Sequence, residues 1–384
     1  MIFVQSFFIF LISFFLIIKL SNIFGISQKT TLAIFLFRSI ICISYVPVAK
    51  ALDWDAAGYY LYTGVDRFGI SGTDLIFTIT YFLKNFLHLS NYSSALIFAF
   101  IGNIGILAFY AIIKDRFENI HLVTSIKFMT TLLIFFPTIN LWTSSISKDA
   151  ITFTCINLII YSLIKIRARI LVLIVSIILF SLIRPYVGIV IIFSLMLAFS
   201  GKVDLSFYWK FLIRILSISA LIFISVIVEQ KFLQLGNLNV SEVADKIDFY
   251  QQITAEGNNA VDLQSLNFPL KLFTFMFRPL IFDANELFSY IMSFENIILF
   301  SIFVYPFMRI IKTLKLIKIE VDSKIIFLSI FLSTTWIMFS LTVANLGTAN
   351  RYKLMFLPAL VYLLLSFSGK EKRFNYKKIS GIQP

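Results

Sequence analysis

Charge is what this sequence has least of. Asp, Glu, Lys and Arg together make up 14% of the 384 residues, against 59% hydrophobic residues. A soluble domain carries about 25% charged residues, and so few charges cannot cover a water-facing surface. An ordinary soluble enzyme and a disordered chain are therefore excluded. There are only two cysteines, Cys42 and Cys155, and both lie in apolar runs. That excludes a disulfide scaffold, and neither has metal-ligand neighbours. The only two histidines, His88 and His121, stand far apart, so a His/Cys metal cluster is excluded on supply alone. What is abundant is phenylalanine, 45 residues of it, and the mean hydropathy is +0.91. The class that fits is an all-α, polytopic transmembrane helical bundle forming a single integral membrane domain over residues 1–384.

Lys and Arg number 33 against 20 Asp and Glu, a net charge of +13. In a membrane protein such an excess belongs to cytoplasmic loops and sets orientation; nucleic acid is not an expected partner. A span needs about 20 apolar residues. About eleven hydrophobic segments qualify: Ile2–Ile18, Thr31–Val48, Ser93–Ile113, Val123–Trp142, Ala150–Ile164, Ile170–Ile183, Tyr186–Ser200, Phe211–Val228, Asn296–Ile311, Ile325–Val343 and Leu354–Phe367. The first has neither a basic n-region nor a small-residue cleavage site, so it is expected to stay as a span. Placing the basic tail 369–384 in the cytoplasm and alternating backwards puts most Lys and Arg inside and the N-terminus outside. The carboxylates run the other way: only Asp115, Glu118, Asp204, Glu320, Asp322 and Glu371 fall inside. Acids contribute little to topology, so their outward bias points to polar chemistry on the outer face. Two long outer loops, 50–92 and 229–295, carry broken apolar stretches, Leu75–Leu89 and Leu270–Phe282, expected to be interfacial helices.

Four segments and one oddity carry candidate chemistry. In SLIRPYVG, Ser181–Gly188, the flanking apolar runs of 14 and 15 residues would each rise only about 21–22 Å. The chain then turns below the outer surface at Arg184-Pro185, where freed carbonyls and the guanidinium need a polar cavity; the alternative is that Arg184 snorkels to headgroups. TFMFRPLIF, Thr274–Phe282, holds a second Arg-Pro pair, with Arg278 either a phosphate fork or a lipid contact of an interfacial helix. In FFPTINLWTSSISKDAITF, Phe135–Phe153, Ser147 is the expected N-cap of a helix with Lys148 and Asp149 in its first turn, either an anion site or a capped helix with a surface ion pair. Asn350 is expected to cap a helix beginning with Arg351. In ALDWDAAGYYLYTGVDR, Ala51–Arg67, Asp53 and Asp55 are spaced to bind a divalent cation, Mg or Mn, or to supply a general base, and the nearby Tyr60 suits a sugar ring; a solvated acidic loop is the alternative. The oddity is Arg38, in the middle of a span at a cost of about 2.5–3.5 kcal/mol. It faces either the same cavity or a lipid phosphate.

These motifs resemble a family. The acidic motif after the second span, the P-x-x-x-x-W-x-x-x-x-x-K-D segment Pro137–Asp149, the I-R-P turn at Arg184, the F-R-P loop at Arg278 followed by Asp283, Glu286 and Glu295, and the N-R-Y at Arg351 are similar to bacterial surface-polysaccharide proteins of the GT-C-like class, among them the O-antigen and capsule repeat-unit polymerases called Wzy. The resemblance spans Asp53 to Pro358. It implies an enzyme of the bacterial cytoplasmic membrane that transfers a glycan from undecaprenyl diphosphate to a lipid-linked repeat unit. Arg184, Arg278 and Arg351 would grip the diphosphate, with Lys148 beside them, and Asp53 or Asp55 would be the base. Implied partners are the polyprenyl-linked oligosaccharide, membrane lipids, a flippase and a chain-length regulator. Two other readings stay open. One is a GT-C glycosyltransferase adding a single sugar from a polyprenyl-phosphate donor. The other is a lipid-linked oligosaccharide flippase, which would place charges near the midplane of broken helices in paired halves.

Overall fold

The computed structural model describes residues 2–200, 248–253, 260–313, 322–368 and 370–371. Among them the chain is almost wholly helical. Seven helices are long and apolar enough to cross a membrane, or eight if one bent pair is counted as a single span. The coarse expectation of an all-α polytopic membrane protein therefore holds. The expected span Phe211–Val228 and nearly all of the tail 369–384 lie outside the described residues.

Helix α1 (Ile2–Phe24) ends at Gly25, whose φ of 65° reverses the chain. Helix α2 (Gln28–Ala51) starts from Ser27, which accepts from Thr30 N. A short α3 (Asp55–Leu61) and α4 (Gly72–Tyr81), which a π-turn extends through Phe82–Phe86, fill the first long loop. Helix α5 (Asn91–Asn119) has 29 residues and rises about 43 Å, more than a bilayer core. It is the central post, packed by α1, α2 and the later α8, with Ile106, Leu107, Phe109 and Ile112 wholly buried.

The expected span Val123–Trp142 is present as Thr124–Thr143, long and apolar enough to cross a membrane, with a local tightening inside it. Helix α6 (Thr124–Leu132) tightens into a 3₁₀ turn and restarts as α7 (Pro137–Thr143), with Pro137 in the first turn, where its missing N–H costs nothing. Helices α8 (Lys148–Ile164), α9 (Ile166–Ile183) and α10 (Pro185–Phe199) follow with breaks at Lys165 and Arg184. In the second long loop, α11 (Phe268–Phe277) is a ten-residue helix. Helix α12 (Leu287–Thr313) begins well before residue 295, so the loop expected over 229–295 is shorter, and Glu295 is a helix residue. Helix α13 (Ser323–Thr342) precedes α14 (Leu346–Lys353) and α15 (Leu357–Ser368), which bend by 65° at their junction. Asn345, not Asn350, caps α14, accepting from Gly347 N and Thr348 N. Asn350 lies inside that helix. A two-residue antiparallel pair, Ile120–His121 with Lys370–Glu371, is the only ladder among the described residues. Phe3, Phe7, Leu171 and Val175 are exposed on α1 and α9, as lipid-facing positions are.

Candidate functional site

The breaks after α2, before α8, between α9 and α10 and at α14 bring ionisable residues together. Arg351, on α14, donates from Nε to Asp149 Oδ2 and from Nη1 to Asp55 Oδ2, both at 3.0 Å. Arg184 donates from Nη2 to Asp149 Oδ1 at 3.3 Å and from Nη1 to the Tyr186 hydroxyl at 2.9 Å. Asp149, in the first turn of α8 behind the Ser147 cap, thus holds two guanidiniums while its side chain is 1% exposed. Asp55 opens α3 and its side chain is 57% exposed. Lys148 Nζ donates to Thr73 Oγ1 at 2.9 Å and lies within electrostatic reach of Arg184 and Arg351.

Aromatic rings set the faces of both arginines. The Arg351 guanidinium lies 4.7 Å from the Trp142 ring centre, and Arg184 lies 4.7 Å from that of Tyr352. Trp142 itself packs on Trp54 and Phe288. Two donors here are buried without a protein acceptor, Arg184 Nε and Trp142 Nε1. Burial and the Asp55 carboxylate push the neighbouring Tyr59 phenol above its ordinary range, so it keeps its proton. Three cations (Lys148, Arg184, Arg351) face two carboxylates (Asp55, Asp149). The surplus is positive, half-enclosed and rich in planar donors, a setting that binds phosphate or another oxyanion.

Helix α7 carries Trp142 and is clamped at both ends by buried groups. At its start, Glu295 accepts from Thr138 N at 2.9 Å and from the Thr138 hydroxyl. At its end, Arg38 donates to Asn140 Oδ1 at 2.8 Å, to Thr143 Oγ1 at 2.9 Å and to the Thr143 carbonyl at 2.7 Å. Arg38 is fully buried, so the expectation that it faces lipid phosphate gives way to neutral protein acceptors. Gly102 makes this approach possible: a Cβ there would run into the Thr143 carbonyl and Arg38 Nη2. Beside Glu295, a small cavity of about 20 Å³ with a mostly apolar lining has room for roughly one water. Lys353 lines it and donates to Asn296 Oδ1 at 2.7 Å and the Met276 carbonyl at 3.1 Å. On the other side of Glu295 runs an apolar groove of about 450 Å³ walled by Leu132, Phe135, Pro137, Tyr290, Ile291 and Phe294. Helix α7, about 10 Å long, links this groove at Pro137 to the guanidiniums at Trp142.

Of the site residues expected from sequence, the structure brings Asp55, Lys148, Arg184 and Arg351 together and separates the others. Arg278 closes its fork on Asp283, from Nε at 2.8 Å and Nη2 at 2.7 Å, and takes no part in the cluster. Asp53 sits at the end of α2 with φ 51°, a left-handed position that Asp tolerates better than most residues. It makes no hydrogen bond or ion pair among the described residues. Tyr60 donates its hydroxyl to the Leu89 carbonyl at 3.0 Å and lies under Lys84. Among the described residues no group of three or more His, Cys, Asp or Glu is arranged to hold a metal ion. The Asp53/Asp55 set does not suit a divalent cation: Asp55 is committed to Arg351, and the surrounding charge is positive. Asp149, Trp142 and Arg38 stood out in the sequence only singly, as parts of the Pro137–Asp149 motif and as a cation inside an apolar run; that Asp149 holds both arginines and that Arg38 and Glu295 clamp α7 had no signal there.

Comparison with known proteins finds no matching family model, no matching curated protein and no matching solved structure.

Proposed function

We propose that the chain is a GT-C-like membrane glycosyltransferase acting on lipid-linked glycans at the outer face of a bacterial cytoplasmic membrane, in the manner of a Wzy-like repeat-unit polymerase. The observation that carries this reading is the surplus of positive charge where Asp149 gathers Arg184 and Arg351, one short helix away from an apolar groove. A substrate with an isoprenoid tail and a diphosphate needs these two chemistries at this kind of spacing.

In the proposed reaction a hydroxyl of the acceptor sugar attacks the anomeric carbon of the donor glycan. The carbon–oxygen bond to the diphosphate breaks, and the diphosphate departs with the bonding electrons. Asp55, the exposed carboxylate of the cluster, takes the hydroxyl proton. Arg351, Arg184 and Lys148 stabilise the charge that develops on the leaving group, the largest electrostatic contribution expected in such a transfer. Arg351 Nη2 is a spare donor for that purpose. Asp149 fixes both forks beforehand, so little reorganisation accompanies the step.

Deleting the gene in its host and resolving the surface glycan by chain length tests the reading. Chains stopped at one complete repeat unit are the expected result. A repeat lacking one sugar would replace it with the single-sugar transferase. A flippase has one observation in its favour, the buried Glu295 within the apolar α12 and the buried Lys353 at the bend between α14 and α15, and it predicts complete lipid-linked units accumulating on the inner leaflet.

A further inference from the structure

A second concavity, of about 680 Å³, opens behind α3, on the side away from Arg351. It lies within the size range of small-molecule sites. Its walls come from the last turns of α2 (Val46, Pro47, Lys50), from α3 (Tyr60, Leu61), from the turn Lys84–Tyr92 that leads into α5, and from Gln5 near the start of α1. Lys50 and Asn91 stand at the ends of two apolar helices, so the concavity sits where a bilayer's hydrocarbon gives way to its headgroups.

The lining combines apolar walls with cations and has no carboxylate. Lys50 has no hydrogen bond or ion pair among the described residues. Lys84 gives one N–H to the Tyr60 carbonyl at 3.1 Å and lies 5.2 Å from the Tyr60 ring centre, which leaves two ammonium protons for a ligand. His88 is turned by a left-handed backbone of φ 51°; its carbonyl accepts from Gln5 Nε2 at 3.2 Å, and its imidazole has no protein partner among the described residues. Two other cations on this side of the protein, Arg278 and Arg351, are by contrast paired with carboxylates, Asp283 for the first and Asp55 and Asp149 for the second. Uncompensated positive charge against apolar walls at headgroup level selects an anionic amphiphile.

We infer that this concavity binds the phosphodiester headgroup of an anionic lipid, with Lys50 and Lys84 on the phosphate and Val46, Pro47 and Leu61 against the start of the acyl chains. The site supplies no group to the glycan reaction itself. It shares only α3 with the arginine cluster, Asp55 at one end of that helix and Tyr60 and Leu61 at the other. An anionic lipid seated there would tie α3 to α2 and so steady Asp55.

Native mass spectrometry of the full chain, released from nanodiscs of mixed phosphatidylglycerol and phosphatidylcholine, tests the inference. The wild type is expected to retain one phosphatidylglycerol in preference to phosphatidylcholine. Lys50→Gln with Lys84→Gln should weaken that retention by about tenfold or more, since each basic group near a headgroup contributes on the order of 1 kcal/mol. Lys50→Arg with Lys84→Arg should retain the lipid, which separates loss of charge from loss of fold. Lys29→Gln, at the opposite end of α2, should change nothing. Equal retention of the two lipids, retention unchanged in the glutamine pair, or ready displacement of phosphatidylglycerol by inorganic phosphate would each overturn the assignment.

Discussion

Arg351 and Asp149 stand 202 positions apart in the chain, and Arg351 Nε donates to Asp149 Oδ2 at 3.0 Å. That one bond ties the helix before the last apolar segment to the first turn of α8. Arg184 joins the same carboxylate from the break between α9 and α10. Three interruptions in otherwise apolar helices thus close on a single buried acid. Each guanidinium is oriented by that acid and by an aromatic ring, a fork fixed before any ligand arrives.

The two carboxylates of the cluster should separate stability from activity. Asp149→Asn leaves two guanidiniums with no buried counter-charge, and breaking a buried pair typically costs about 3–5 kcal/mol. Asp55→Asn removes an exposed partner, worth about 1 kcal/mol or less. Thermal unfolding in detergent should therefore show a large fall in Tm for Asp149→Asn and a small one for Asp55→Asn. Glycan extension in the host should be lost in both. Equal shifts in Tm would mean that Asp149 does not anchor the cluster, and full extension by Asp55→Asn would remove it as the base.

The clamp on α7 predicts an unusually sensitive glycine. A methyl at residue 102 must push aside both the Thr143 carbonyl and the Arg38 guanidinium. Neither is a free chain end, because Arg38 already satisfies three acceptors. Overpacking of this kind costs about 1–3 kcal/mol. Gly102→Ala should lower Tm accordingly. In an Arg38→Leu background the same change should cost somewhat less, since one of the two colliding groups is gone while the Thr143 carbonyl stays in the way. Additive costs in the double variant would show that the two residues do not share a contact.

The helical fold could be read from the run of apolar segments because each residue of a span must be compatible with lipid, a constraint that acts locally. Arg184 and Arg351 could be singled out for the same reason: a cation in or beside an apolar run needs a partner. What sequence did not disclose was which partner. Asp149 looked like the neighbour of Lys148, yet it accepts from arginines 35 and 202 positions away. Arg278, in a motif much like that of Arg184, found Asp283 five residues on. The difference lies in the local chain. The turn after Pro279 returns an acid to Arg278, whereas the chain after Pro185 continues as an apolar helix. Asp53 and Asp55 looked equivalent by spacing, but the left-handed turn at Asp53 separates their roles.

Lys353 offers a test of buried polar pairing inside the bent pair α14–α15. Its ammonium satisfies Asn296 Oδ1 and the Met276 carbonyl. Lys353→Met keeps the unbranched side chain up to its last carbon, removes the ammonium and strands both acceptors, at about 1–3 kcal/mol for each group left unpaired. Adding Asn296→Leu removes one stranded group, so the double variant should recover part of the lost Tm. A double variant less stable than Lys353→Met alone would show that Asn296 is held mainly by the Pro279 carbonyl, to which its Nδ2 donates at 3.1 Å.

The loop after α11 should respond to acid in a defined direction. Hydrogen bonds from Arg278, together with one from Leu280 N, hold the Asp283 carboxyl below the usual aspartate range, against an opposing push from partial burial. A carboxyl whose value is lowered by folding adds stability that is complete above the unfolded value, near 3.9, and is lost as pH falls through the lower folded one. Hydrogen exchange across residues 278–287, corrected for intrinsic rates, should therefore show steady protection from neutral pH down to about pH 4 and a decline below it. Asp283→Asn cannot form the two charge-assisted bonds at any pH. It should show weaker protection at pH 7 and little further change on acidification. A variant whose protection still declined along the wild-type curve would place the acid sensitivity in another carboxylate, with Glu286, three residues further on, the first to replace.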